Sequence, residues 1–282
     1  VIKICPAHKA APVIHDLYLG FLGTNPNLPI VPPKEAEYLW YCCQGDKGQI
    51  LLDLKAAQAT GKPLITLTLG DDDWSRALSP ENKTRYFSPA SDVAKRCVPY
   101  YDLGRNARIE PNPIRPLLAS WRGSFSTYPP RRNLLKVACR DIFIEESEWW
   151  QPPQPAGRAG ASAQRYHELL YNSRFAFCPR GAGRSSIRLI HAIRYHCIPV
   201  MIDDGSRPFG QKLDFAVRTD FAGLDRAIAF IRGMKEKEYQ QRLKLMESFS
   251  REFLYRDEAA GCKGTLGYTE YVREYVERKG KI

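Results

Sequence analysis

The stretch FAFCPRGAGRSSIRLIHAIRYHCIPVMID, residues 175–203, decides the fold. It reads as a strand, a glycine loop, a helix, a second strand and an acidic turn. Residues 175–178 and 197–202 are short, unbroken apolar runs, which is the character of parallel strands buried on both faces. Between them, Gly181 and Gly183 allow backbone N–H groups to approach a ligand closely. Ser185 or Ser186 can cap the helix over 187–195. A helix start with free N–H groups favours an anion, phosphate above all. Arg180, Arg184 and Arg188 add positive charge, and arginine meets phosphate oxygens bidentately. Arg188, His191 and Tyr195 fall at i, i+3 and i+7, so they share one helix face, predicted to look into a cleft. A surface helix behind an ordinary glycine turn would use the same residue types. The loop is neither a Walker A, whose Gly-Lys-Ser/Thr ending it lacks, nor a GxGxxG.

Working outward, further strand-like runs cover residues 1–5, 64–69, 117–121 and 142–144. Helical patterns cover 50–59, ended by Gly61-Lys62-Pro63, and 131–140 and 164–172. This alternation predicts an α/β protein with parallel sheets covered by helices. The stretch 110–116 carries three prolines and reads as a connector, since proline fits neither a helix interior nor a central strand. It divides the chain into a first lobe, 1–116, and a second, 117–264. Residues 265–282 hold a final amphipathic helix, expected over 268–279 and to pack back on the first lobe. The proline- and glycine-rich 151–160 reads as a surface loop, and 224–256 as charged helix. No internal repeat is present.

Composition sets the outer bounds. The chain has 282 residues, 44% hydrophobic and 26% charged, which excludes disorder as its main state and leaves room for two lobes. No apolar run approaches the ~18–20 residues of a membrane span. Residues 1–5 are too short for a signal-peptide core, and a chain that starts at Val1 fits a trimmed N-terminal segment. The formal net charge of +11 attracts polyanions, although solubility accounts for it equally well. The basic residues are scattered with no run of five or six, which argues against a nucleic-acid arm, and no specific nucleic-acid partner is expected. None of the eight cysteines forms a CxxC, which argues against a zinc ribbon. Cys5, Cys178 and Cys197 lie in apolar runs, where a thiol acts as a small hydrophobe. A reducing, cytoplasmic compartment is expected.

The second half resembles the exostosin-like glycosyltransferases, glycosyltransferase family 47. The resemblance rests on Cys178-Pro179-Arg180-Gly181, Ser186-Ile187-Arg188, Ala192-Ile193, Cys197-Ile198-Pro199-Val200, Asp203, Pro208-Phe209 and Leu213-Asp214-Phe215. Tyr166, Leu170 and Ser173 fit the helix before the loop. Trp121-Arg122-Gly123 followed by Pro130-Arg131 is similar to the family's start of the second lobe. The first lobe offers only Gly70-Asp71-Asp72-Asp73-Trp74, beside the family's Gly-Arg-Asp-His-Phe. Two positions depart from the pattern. His191 stands where the family has Glu, and His196 where it has Gly before Cys-Ile-Pro-Val.

The resemblance implies the GT-B type of fold, two Rossmann-like lobes with the active site in the cleft between them. It also implies an inverting transfer from a UDP-sugar to a hydroxyl of a glycan acceptor. Arg122, Arg131, Arg180, Gly181, Gly183, Ser185, Ser186, Arg188, His191 and Asp203 are the expected donor-binding set. Arg122, Arg188 and the Ser185–Ser186 helix start are the candidates to stabilise the leaving diphosphate. The short chain is similar to the compact exostosin-like enzymes of chlorella viruses, which implies xylose as the donor sugar, fucose of a capsid N-glycan as acceptor, and host-cell cytoplasm as location.

For the general base, Asp71-Asp72-Asp73 follows the strand over 64–69, and adjacent carboxylates raise one another's pKa. Asp73 is the first choice and Asp72 the second, with His8 and His15 as outsiders. Surface acidic turns look the same. Asp71 and Asp73 also form a D-x-D, so a metal-dependent transferase is the rival enzyme reading. The basic loop already supplies positive charge, so no metal and no cofactor beyond the UDP-sugar co-substrate are expected. Trp74, Trp149 and Trp150 can stack on sugars, although aromatic pairs more often serve cores. A non-catalytic glycan-binding relative and a nucleic-acid-binding protein are the non-enzyme readings.

Overall fold

Strands joined through helices pair in parallel, because each helix returns the chain to the same end of the sheet. The computed structural model describes residues 4–6, 34–43, 47–68, 74–83, 86–87, 109–147, 156–181, 185–208 and 211–251. Among these residues every pairing between strands is parallel. The α/β expectation therefore holds. The chain divides into two compact units: Val1–Asn106 with Ser206–Lys212 and Arg251–Ile282, and Ala107–Gly205 with Leu213–Ser250. The sequence predicts a boundary at 116, but the proline connector belongs to the second unit. Arg115 explains this: its guanidinium donates to the carbonyls of Ser173 and Tyr195, tying the connector down.

In the first unit, β1 (Ile4–Pro6), β2 (Tyr38–Cys43), β3 (Leu64–Thr68) and β4 (Tyr86–Phe87) form one sheet in sequence order. Helix α1 (Lys47–Ala59) buries Ile50, Leu54 and Ala57 against Leu39, Tyr41, Leu64 and Tyr86. Its end follows the predicted stop signal: Gly61 takes φ +71°, and its N–H donates to the Gln58 carbonyl at 3.1 Å.

The second unit carries β5 (Leu117–Gly123), β6 (Ile142–Glu146), β7 (Ser173–Pro179), β8 (Ile198–Ile202) and β9 (Val217–Thr219), in the order β6-β5-β7-β8-β9. The helices are α2 (Ala156–Tyr171), α3 (Ile187–Arg194), α4 (Leu224–Gly233) and α5 (Glu236–Phe249). Side chains alternate along a strand, and in β7 they alternate by size. Phe175 and Phe177 join Trp121, Ile198, Val200, Leu224, Ile228 and Tyr239 in the main core, on the α4 and α5 side. Ala176 and Cys178 join Leu170, Ala192 and Cys197, on the α2 and α3 side. Both faces are covered, which is why the strands read as unbroken apolar runs. Among the described residues no helix is long and apolar enough to cross a membrane.

Three local readings change. The predicted helix over 131–140 is a 3₁₀ segment, Pro129–Val137, opened by two prolines. Residues 156–160 of the predicted loop belong to α2. The helical stretch from 224 breaks after Gly233, and α5 starts at Glu236. The predicted helix over 268–279 lies outside the described residues.

Candidate functional site

The strand order of the second unit is that of a doubly wound sheet. From β5 the chain steps one way to β6, then crosses back past β5 to β7. Where the winding reverses, a crevice opens beyond the carboxyl ends of the two strands, and ligands bind there. In this unit those ends are Gly123 and Pro179, with Ile202 of β8 alongside. The predicted residues Arg122, Arg180, Gly181 and Asp203 all sit at these ends, and Arg131 is bonded to them.

Hydrogen bonds fix the loop after β7. The Arg180 N–H donates to the Ile202 carbonyl at 3.0 Å, and the Gly181 N–H reaches the Ser185 carbonyl at 3.4 Å. Arg131 donates to the carbonyls of Arg180 at 2.9 Å, Ser124 at 3.0 Å and Pro179 at 3.4 Å, and to the Thr127 hydroxyl. Its guanidinium is thus committed to backbone, and its effect on a ligand runs through the loop it holds. Arg122 is likewise engaged: its Nε donates to Glu145 at 2.6 Å, and Glu145 also meets Arg165 at 3.5 Å. Gly183 and Arg184 lie outside the described residues.

Ser186, not Ser185, is the N-cap of α3, its hydroxyl accepting from the Arg188 N–H at 3.3 Å. Arg188 follows in the first turn and is only 6% exposed. Its guanidinium lies 4.5 Å from the Tyr166 ring centre and 5.8 Å from that of Trp121. Among the described residues no carboxylate pairs with it and no side-chain hydrogen bond is made to it. A buried, permanently charged group without an anion is costly, and the capped helix start beside it favours one. The face expected to look into a cleft is instead covered by α2: the Tyr166 hydroxyl is 2.8 Å from His191 Nδ1, and His167 stacks on Tyr195 at 5.4 Å.

Asp203 ends β8 with φ +52°, a left-handed conformation rare outside glycine, and its N–H donates to the Thr219 carbonyl at 3.0 Å. Its carboxylate accepts from the Tyr128 hydroxyl at 3.2 Å. The sequence does not single out Tyr128; its partner is 75 residues away, and no local pattern links the two. Burial, then the Asp203 carboxylate, hold the Tyr128 phenol above its usual range, so it stays protonated and donates. The family glycine before Cys-Ile-Pro-Val also finds a reason. His196 sits just past α3 with φ +54°, its N–H bonded to Ile193 and the Cys197 N–H to Ala192, the Schellman arrangement in which glycine is usual.

Asp71, Asp72 and Asp73, with His8, His15, Trp149 and Trp150, lie outside the described residues; Trp74 opens a 3₁₀ turn, Trp74–Ala77. Among the described residues no group of three His, Cys, Asp or Glu is placed to hold a metal ion.

The model of the Exostosin GT47 domain matches residues 58–221, more than half of the chain. Exostosin-1b and Exostosin-1a of Danio rerio are each 39% identical over 51 residues, 18% of this chain and 7% of theirs. The chain thus matches only a small part of those longer proteins. An alpha,alpha-trehalose-phosphate synthase (UDP-forming) from Burkholderia xenovorans is similar at TM-score 0.45 and 11% identity, covering 93% of this chain and 81% of that one. A lipopolysaccharide outer core galactosyltransferase is similar at TM-score 0.42 and 10% identity, covering 95% and 79%. Both likenesses are too low to bear on function.

Proposed function

The chain belongs to the exostosin GT47 family, and from that premise we propose that it is an inverting glycosyltransferase moving a sugar from a UDP-sugar to a hydroxyl of a glycan acceptor. The observation that carries the donor half is Arg188, a buried cation at a capped helix start, lacking an anionic partner among the described residues. A diphosphate supplies that anion. The lobes are those of a GT-B enzyme, with the donor beyond the carboxyl ends of β5, β7 and β8.

In the reaction the acceptor hydroxyl attacks C1 of the sugar as the bond to the diphosphate breaks, and the configuration inverts. Asp73, or failing it Asp72, takes the hydroxyl proton. Arg188, Arg180 and the N–H groups at the start of α3 receive the charge that develops on the leaving diphosphate. Gly181 keeps the loop backbone low enough for that approach, the role the sequence also assigns to Gly183. Ser185, Arg122 and Arg131 support the loop, Asp203 faces the ribose hydroxyls as a hydrogen-bond partner, and His191, meeting the Tyr166 hydroxyl, holds α3 against α2. With two arginines and a helix start on the diphosphate, no metal is required.

The finer assignment follows the compact chlorella-virus enzymes that the sequence resembles: UDP-xylose as donor and a fucosyl residue as acceptor. The test is a panel of UDP-sugars with fucoside and other glycoside acceptors, read as UDP release, with and without EDTA. UDP-xylose with a fucoside should give the fastest release, unchanged by EDTA. Activity lost in EDTA and restored by Mn²⁺ would replace this mechanism by the metal-dependent one built on Asp71 and Asp73. No release with any donor, and no thermal stabilisation by UDP, would sink the enzyme reading.

A further inference from the structure

Arg180 and Asp203 carry opposite charges at neighbouring strand ends, yet among the described residues no ion pair joins them directly. Tyr128 stands between. The Arg180 guanidinium lies 4.9 Å from the centre of the Tyr128 ring, and the Tyr128 hydroxyl donates to the Asp203 carboxylate at 3.2 Å. Tyr128 is the N-cap of the 3₁₀ segment but makes no side-chain cap bond. Its carbonyl accepts from the Arg131 N–H at 3.0 Å, so its backbone belongs to the same loop that Arg131 fastens to Pro179 and Arg180.

This arrangement has a chemical consequence. A direct Arg–Asp pair would neutralise both groups and turn the guanidinium edge towards the carboxylate. Stacking engages the guanidinium face instead. The N–H donors lie in the guanidinium plane, and that edge is how arginine meets two phosphate oxygens at once. The hydroxyl, in turn, holds the carboxylate of a residue whose left-handed backbone leaves little choice of direction. Such outliers persist where surrounding contacts over-determine them.

We infer that Tyr128 is a positioning residue of the donor site, seating Arg180 on its ring for the diphosphate and fixing Asp203 through its hydroxyl. The inference rests on the donor-site reading above and adds to it a residue that touches neither the sugar nor the reacting bond. Its mark is coupling: most of what Tyr128 contributes to nucleotide binding passes through Arg180.

The experiment is calorimetric titration of UDP into the wild type, Tyr128→Phe, Tyr128→Leu, Arg180→Ala and the Tyr128→Leu/Arg180→Ala double variant, with melting temperatures recorded without ligand. Tyr128→Leu should weaken UDP by roughly tenfold, and Tyr128→Phe, which keeps the ring, by roughly threefold. In the Arg180→Ala background, Tyr128→Leu should cost less than about twofold, because residues acting through one contact are not additive. Full additivity in the double variant would mark Tyr128 as merely structural and overturn the inference. UDP binding within twofold of wild type in both single Tyr128 variants would also overturn it, while leaving the donor site standing. A wild type that binds no UDP at all would remove the donor site and this inference together. Tyr128→Phe keeps the question decidable if Tyr128→Leu fails to fold.

Discussion

The two sheets are built from the same kind of parallel strand, yet they offer a ligand different things. The first runs β1-β2-β3-β4 in sequence order, with no reversal among its described strands. The second runs β6-β5-β7-β8-β9, reversing between β6 and β7, and its reversal coincides with Arg122, Arg180 and the glycine loop. Winding direction alone therefore singles out the second sheet as the place where backbone N–H groups and side chains can converge on one molecule. Beyond the first sheet's β3 the sequence carries three carboxylates, Asp71 to Asp73, proposed above as the proton acceptor.

The proposed division of labour can be broken. The largest effect is expected for Asp73→Asn, which keeps size and polarity but removes basicity. Turnover should fall by ~10²–10⁴-fold while UDP affinity is unchanged. Near wild-type turnover would move the base to Asp72, His8 or His15, and a parallel loss of UDP affinity would deny the separation between the units.

Next comes Arg188→Met, similar in length but uncharged. Titration should show UDP affinity lowered by about 10–150-fold, the range for a charge-assisted bond. The ligand-free melting temperature should stay level or rise, because a buried charge with no carboxylate partner among the described residues has been exchanged for an apolar group. A fall in melting temperature with UDP binding retained would make Arg188 an ordinary core residue.

A smaller effect concerns the α2 and α3 side of the second sheet. Burial pushes the Cys197 thiol up to about 11, and the Cys178 thiol higher still. Both stay neutral in the folded state while the unfolded thiols ionise from about 8.5 upward. Their contribution to stability is full below that pH and is lost as pH rises towards 11. Chemical denaturation at pH 7 and pH 10 should differ by about 2 kcal/mol per thiol. A stability flat over this range, or thiols that react with iodoacetamide as fast as the exposed Cys139, would show that this face is open.

The smallest is His196→Gly. Relief of the left-handed backbone is offset in part by the freedom glycine gains when unfolded, leaving a gain of ~0.5–1 kcal/mol in thermal denaturation. A loss instead would mean that the imidazole contributes more than its backbone costs.

Much of the second sheet was legible in residues 175–203 because strands covered on both faces leave an unbroken apolar signature. The Cys-Ile-Pro-Val run could hardly be anything else. Val217–Thr219 has only three residues, one of them arginine, and carries no periodic signal. Tyr38–Cys43 is aromatic-rich and could have been named from strand propensity. Arg188 was legible by residue type, whereas the absence of a counter-ion among the described residues was not, because that depends on what other elements bring near it. Arg131 shows the converse: its motif marked it, and only the carbonyls around it show that it grips the loop. Tyr128 left no trace, since Arg180 and Asp203 reach it across three separate segments.

A buried cation with no anion beside it among the described residues would, in the proposed donor site, make the nucleotide part of what keeps the chain folded. Occupancy raises stability logarithmically with ligand, by about 2.7 kcal/mol at a hundred times the dissociation constant. Under the proposed donor site, melting temperature would therefore climb along a UDP series, whereas a chain without that site would melt at the same temperature throughout.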